Sequence, residues 1–217
     1  MYPYLSYSRG TKSQDHTIKV YGSYTINVEP DVAYAKIGVL TSNKELAVAQ
    51  KENAAISQEI LQSFKMNRIP SKNIQTSTYQ IYPQYDYIEG KQRFKGYEVR
   101  QVFQVKMKDL TKIGKVIDDA VTNGANIVES VQFDVEQTEE YYNQALVKAY
   151  ERALEKARSL GNVSTVGGKL TPVKIVELPT SSSPTPYGKV LGVSTESTTP
   201  IPTGQIGVTA KVEVTFQ

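Results

Sequence analysis

Cysteine is absent from this 217-residue sequence. Its absence removes disulfides, thiolate nucleophiles and thiolate metal sites together. It leaves the compartment open, because cysteine-free proteins occur on both sides of a membrane. Histidine is nearly absent as well: His16 stands alone, at the edge of a polar, Tyr/Ser-rich start. A serine or cysteine hydrolase needs a nucleophile with a positioned base. A single imidazole in a tail is better read as a solvated side chain. Charge of one sign is scarce too, with 25 basic and 22 acidic residues giving a net +3. So mild an excess does not by itself indicate a nucleic-acid or membrane partner. No run of about 18 apolar residues occurs, so no segment reads as a bilayer-spanning helix. The first 16 residues lack the apolar run of a signal peptide. On that ground the chain is expected to be soluble and cytoplasmic; removal of an export signal would make it exported or periplasmic instead.

What the sequence does contain is alternation. Ser77 to Lys108 reads as one long β-hairpin. Apolar side chains fall at Tyr79, Ile81, Tyr85 and Tyr87 on one arm, and at Tyr97, Val99, Phe103, Val105 and Met107 on the other. Strict period-2 spacing over this length marks a half-buried strand. Glu89-Gly90-Lys91 supplies the turn. A three-residue loop there would pair Ile81 with Val99 and Ser77 with Phe103, and would put both apolar sets on one face. An even-length loop would put them on opposite faces, unless a bulge near Pro83 absorbed the slip.

Before the hairpin, Ile18, Val20, Tyr24, Ile26 and Val28 form an even-numbered stripe. Ala33, Ala35, Ile37 and Val39 form an odd one. The change of parity predicts a first hairpin with an even loop at Val28–Asp31. Ser42 to Glu45 fits the capping box S-x-x-E and predicts a helix after it. Leu46, Ala49, Asn53, Ile56, Ile60 and Phe64 give that helix its face, and Ile69-Pro70 ends it. Leu110, Ile113, Ile117 and Ala120 predict a second helix closed by Asn123-Gly124. Ile127, Val131, Phe133 and Val135 predict a strand. A third helix is expected from Thr138 to Leu160, stopped by Gly161. Its face carries Ala145, Ala149, Ala153 and Ala157, and alanine permits close approach to a neighbouring element. Val173 to Glu177 reads as a short strand. Pro179 to Pro202 is Ser/Thr/Pro-rich and longer than an ordinary connection, with an edge strand allowed at 189–193. The last strand alternates from Ile206 to Phe216 and needs burial on both edges.

The order is therefore ββαββ-αβαβ-β, an α+β fold in which antiparallel hairpins carry helices on one face as a two-layer sandwich. The expected division is a flexible tail at 1–15, a ββαββ lobe at 16–108, and an αβαβ-loop-β lobe at 109–217 with a mobile loop at 179–202.

Chemistry-bearing constellations are few. Asp118/Asp119 and Glu139/Glu140 are helical neighbours that point about 100° apart, so neither pair converges on one atom. Gly167-Gly168-Lys169 departs from G-x-x-x-x-G-K-[ST] at Val163 and Leu170, and reads as a turn. Lys95-Gly96-Tyr97 starts like an RNA-recognition strand, but Glu98 and Val99 break the pattern. Lys91, Arg93, Lys95 and Arg100 do lie near Tyr82, Tyr85, Tyr87 and Tyr97. The alternative function is therefore a single-stranded nucleic-acid or small-ligand binding module on hairpin 79–107.

Four segments resemble the SIMPL-domain family. Ile18 to Gly22 with Pro30-Asp31-Val32-Ala33 is similar to its opening. Asn73 to Thr76 with Tyr82-Pro83-Gln84-Tyr85 is similar to its D-I-x-T … P-x-Y segment. Gly96-Tyr97, and Gly124-Ala125 leading to Phe133 and the alanine-rich helix, are the others. The chain departs from the family pattern at Gly22-Ser23-Tyr24, where Gly-x-Gly is frequent, and at Asn73, where Asp is. That family includes periplasmic immunogenic proteins of Gram-negative bacteria and a signalling protein associated with the mouse pelle-like kinase. The resemblance implies an α+β fold, a tendency to homo-oligomers, a stress-related or envelope-related role, and no catalytic, metal or cofactor residues to carry over. The expected function is a non-enzymatic protein that self-assembles. Of its 15 tyrosines, those at the hairpin end suit a contact that is apolar on one side and wet on the other. The candidate oligomer contacts are Tyr85, Tyr87 and Phe94.

Overall fold

The computed structural model describes residues 17–163, 170–180, 185–187 and 199–217. His16, the Gly167-Gly168-Lys169 turn and the edge strand expected at 189–193 lie outside them. The strands are β1 (Ile18–Val28), β2 (Val32–Asn43), β3 (Ile74–Ile88), β4 (Lys91–Met107), β5 (Ile127–Asp134), β6 (Pro172–Leu178), β7 (Thr185–Tyr187) and β8 (Gln205–Phe216). The helices are α1 (Leu46–Met66), α2 (Ile113–Thr122) and α3 (Thr138–Val163). The expected α+β class forms, with two antiparallel sheets. One has the order β1-β8-β6, with β7 added along β8. The other has the order β3-β4-β2-β5.

Two expectations fall here. β1 and β2 do not form a hairpin: their parities differ because each belongs to a different sheet. The division after Lys108 does not hold either. One compact unit contains most of β1, α3, β6 and most of β8; the other contains β2 to β5 with α1 and α2. β1 is drawn out of the N-terminal lobe by β8, and β5 is drawn into it by β2. The terminal strand β8 lies between β1 and β6, which gives it partners on both edges.

In the β1/β8/β6 unit, Ala145, Ala149, Ala153 and Ala157 are fully buried against Val20, Val212 and Phe216. Alanine here lets the backbones nearly touch. A Cβ on Gly22 of β1 would stand 1.8 Å from the Ala149 carbonyl oxygen. Gly161 does not stop α3, which continues to Val163. One helical glycine costs only about 1 kcal/mol against alanine, and Gly161 is buried, facing Ile18.

In the other unit, Ala33, Ala35, Ile37 and Val39 of β2 face Ile60 and Phe64 of α1 and Ile113 and Ile117 of α2. A buried polar seam crosses this core. Asn53 of α1 donates to the Val99 carbonyl at 2.9 Å, and Ser57 donates to Gln101 at 3.0 Å. Ser42 does not cap α1: it stays in β2 opposite Glu98. Asn43 instead accepts from the Glu45 amide at 3.1 Å. The ladder wins because Ser42 is already committed to a strand pair.

Of the segment 179–202, the described parts are held within their own units. Thr180 donates to the Thr209 carbonyl. β7 pairs with the start of β8. Thr199 donates from its amide and hydroxyl to Asp118, at 3.1 and 2.6 Å.

Candidate functional site

The long hairpin forms as β3 and β4. Its loop has two residues, Glu89 and Gly90, both with positive φ (51° and 75°), as a type I′ turn requires. The expected three-residue loop is therefore replaced by the even loop with a bulge. Pairing runs Tyr85 with Phe94, then skips Lys95 to Gln84 with Gly96, one residue from Pro83. The bulge restores odd-with-odd pairing, so Ile81 faces Val99 as expected. A second bulge at Ser77 shifts the base of the hairpin. Phe103 consequently faces Thr76, not Ser77. Glu98 and Arg100 lie on the opposite face from Val99, where Glu98 accepts from Gln84 and Arg100 pairs with Glu129.

β2 ends at Asn43, opposite Tyr97. Past that point β3 and β4 continue as a ribbon on which, among the described residues, no third strand pairs. Tyr85 and Phe94 meet edge to face at 5.7 Å, and Phe94 meets Tyr97 at 5.1 Å. The rings are still open to solvent: Tyr85 is 44% exposed, Phe94 49% and Tyr87 74%. The structure thus brings two of the three candidate contacts, Tyr85 and Phe94, into one aromatic cluster. Register puts Tyr87 on the same face, two pairs nearer the turn. Arg93 and Lys91 pair with Asp86 and Ile88, so they alternate to the other face. Lys95 is held by Asp86 at 3.4 Å. Ring stacking and free positive charge are therefore largely separated at the tip.

The carboxylate neighbours do structural work. Asp118 accepts from Thr199, while Asp119 accepts from Lys115 and Asn67 at 2.7 Å each. Those donors hold the Asp119 carboxyl below its ordinary range. Glu139 and Glu140 are exposed in the first turn of α3, where the helix dipole favours them. Among the described residues no three His, Cys, Asp or Glu side chains converge to hold a metal. Among them, too, no helix is long and apolar enough to cross a membrane.

Sequence reasoning missed one carboxylate clamp and one cleft. Glu136 receives Lys106 of β4 and Lys108 just beyond it, both at 2.7 Å, and these donors pull its carboxyl down to about 2. The end of α1, the Lys106–Lys112 stretch and Val116 of α2 surround a cleft of about 380 Å³. Only two sequence signals pointed to it: the Lys-x-Lys at 106–108, and a helix end at Asn67-Arg68 without glycine.

A family model described as "SIMPL: Protein of unknown function (DUF541)" matches residues 18–216. The chain is 26% identical over 214 residues to the 26 kDa periplasmic immunogenic protein of Brucella melitensis, covering 94% of this chain and 86% of that one. It is 29% identical over 141 residues to the uncharacterized protein YggE of Escherichia coli K12, covering 65% of this chain. That match spans 57% of the YggE length, little more than half. A YggE from Edwardsiella ictaluri is 29% identical over 143 residues. The cytoplasmic expectation is overturned by these findings, since a relative matched over nearly the whole chain is periplasmic by name.

Proposed function

The chain belongs to the SIMPL family, and on that footing we propose that it is a non-enzymatic periplasmic protein with an envelope role that self-assembles through its hairpin tip. The observation that carries the reading is the aromatic tip itself. Tyr85, Tyr87, Ile88 and Phe94 stay open to solvent on a ribbon that, among the described residues, no third strand flanks. Exposed clustered aromatics are the side chains that anchor protein interfaces. A stable interface buries about 1,200–2,000 Å² in total, so the rings act as anchors within a larger contact that includes the ribbon's own backbone edges. The periplasmic part rests on the relative from Brucella melitensis. The non-enzymatic part rests on a sequence without cysteine and with one histidine. Sedimentation at tens of micromolar is expected to give a mass well above 24.1 kDa. A single species at the monomer mass would overturn the reading.

A further inference from the structure

The cleft beside the C-terminal end of α1 combines an excess of positive charge with a left-handed backbone at Arg68. Arg68, Lys72, Lys106, Lys108 and Lys112 line it, against one lining carboxylate, Asp109. Lys112 pairs with Asp109 at 2.6 Å, and Lys106 and Lys108 must share Glu136. Among the described residues, Arg68 and Lys72 have no ion-pair partner. The floor is apolar: Ile69, Met107 and Val116 are all buried.

The two helices that frame this cleft end in the same way, with one difference. Both close with a Schellman motif. In α2, Ala125 N–H donates to the Ala120 carbonyl and Gly124 N–H to Val121. In α1, Ile69 N–H donates to the Phe64 carbonyl and Arg68 N–H to Lys65. The residue between must be left-handed, and glycine is the usual occupant. α2 has Gly124 there at φ +94°, whereas α1 has Arg68 at φ +60°. A side chain in that conformation costs about 1 kcal/mol. Strained non-glycine residues of this kind cluster at ligand sites. Cations near a helix C-terminus also offset its dipole, which accounts for Lys65 as well as for Arg68. It does not account for Lys72, Lys106, Lys108 and Lys112, which reach the same cleft from two turns, a strand and the connection after that strand.

We infer that this cleft binds a small organic anion with an apolar body, its phosphate or carboxylate group held by Arg68 and Lys72 and its body lying on Ile69, Met107 and Val116. The volume suits a molecule of that kind, since ligand pockets run from about 300 to 1,000 Å³. The inference is independent of self-association at the hairpin tip. Calorimetry with octyl phosphate, inorganic phosphate and octanol tests it on the full chain. Octyl phosphate is expected to bind saturably, inorganic phosphate more weakly, and octanol not at all. Arg68→Gly combined with Lys72→Gln is expected to weaken octyl phosphate about tenfold or more, the loss of two charge-assisted contacts. Arg68→Gly alone is expected to leave thermal stability unchanged or higher, because glycine relieves the strain. That separates binding from folding, and the exposed Lys72→Gln alone supplies a variant with no fold at risk. Vesicles of phosphatidylglycerol distinguish the source: sedimentation with them that the double variant loses places the anion on a lipid, and octyl phosphate binding without it places the anion in solution. Equal octyl phosphate affinity in wild type and double variant, or no saturable binding of any of the three probes, would overturn the inference.

Discussion

The base and the tip of the β3–β4 hairpin share two strands and one alternating pattern, yet their side chains end differently. At the base, Val99, Phe103 and Val105 are buried under α1, with β2 on the free edge of β4. At the tip, Tyr85, Tyr87 and Phe94 continue the same face with no helix or third strand over it among the described residues. Alternation therefore reports that one face is apolar; what covers the face is decided by where the neighbouring elements stop. Here the deciding event is the end of β2 at Asn43. The composition follows the split, with aliphatic side chains and Phe103 below and rings that tolerate water above.

The largest effect is expected from breaking the base. Phe103→Ala should lose about 3–5 kcal/mol, as emptying a packed aromatic site does, read as a lowered denaturant midpoint. A change no larger than that of a surface substitution would contradict the split. Gly90→Ala should be smaller, about 1 kcal/mol, because the turn needs positive φ there. Its damage is expected at the tip: amide exchange from Gln84 to Phe94 speeds up while the amides of Val99 to Met107 stay protected. Loosening of both regions together would mean that base and tip are one cooperative unit.

A smaller effect is expected where the base of β4 is tied to Glu136. Its carboxyl is depressed from an ordinary 4.5 to about 2 by Lys106 and Lys108. A depressed carboxyl stabilises the fold in full above its ordinary value and loses that contribution as pH falls towards about 2. Carboxyl NMR should place the Glu136 midpoint near 2, with the loss of stability confined to the range below 4.5. Both lysines and Glu136 are partly exposed, so solvent and salt screen the pair and the change in midpoint denaturant should be slight. A midpoint at the ordinary value would show that the clamp does not form in solution.

Much of this was legible residue by residue. Stripe parity placed the inward faces of β1, β2, β4 and β8, and three-and-four spacing found the faces of α1 and α2. The alanine row of α3 signalled close packing, and Gly22 turned out to be its counterpart on β1. What could not be read was long-range pairing. The change of stripe parity at Val28–Asp31 points to a β1–β2 hairpin, whereas the partner of β1 is β8, far along the sequence. The bulge at Lys95 lies where the sequence allows one, near Pro83, whereas the bulge at Ser77 leaves no signal because many residue types tolerate it. Tyrosine content, the length of the hairpin and the family resemblance point to the tip contacts, and the structure adds their exposure and clustering. The basic cleft leaves only the Lys-x-Lys at 106–108 and the glycine-free end of α1 as marks in the sequence, because its cations come from separate segments and only the fold brings them together.

The central claim is that the tip is exposed for a second copy of the chain. Sedimentation equilibrium on wild type beside a Tyr87→Ala, Phe94→Ala double variant tests it most directly, at matched concentration and with unfolding midpoints recorded. Both side chains are exposed, so the variant's stability should stay within about 0.5 kcal/mol of wild type. The account predicts that wild type sediments as an oligomer and that the variant shifts towards 24.1 kDa. An oligomer of unchanged mass and affinity in the folded variant would contradict it.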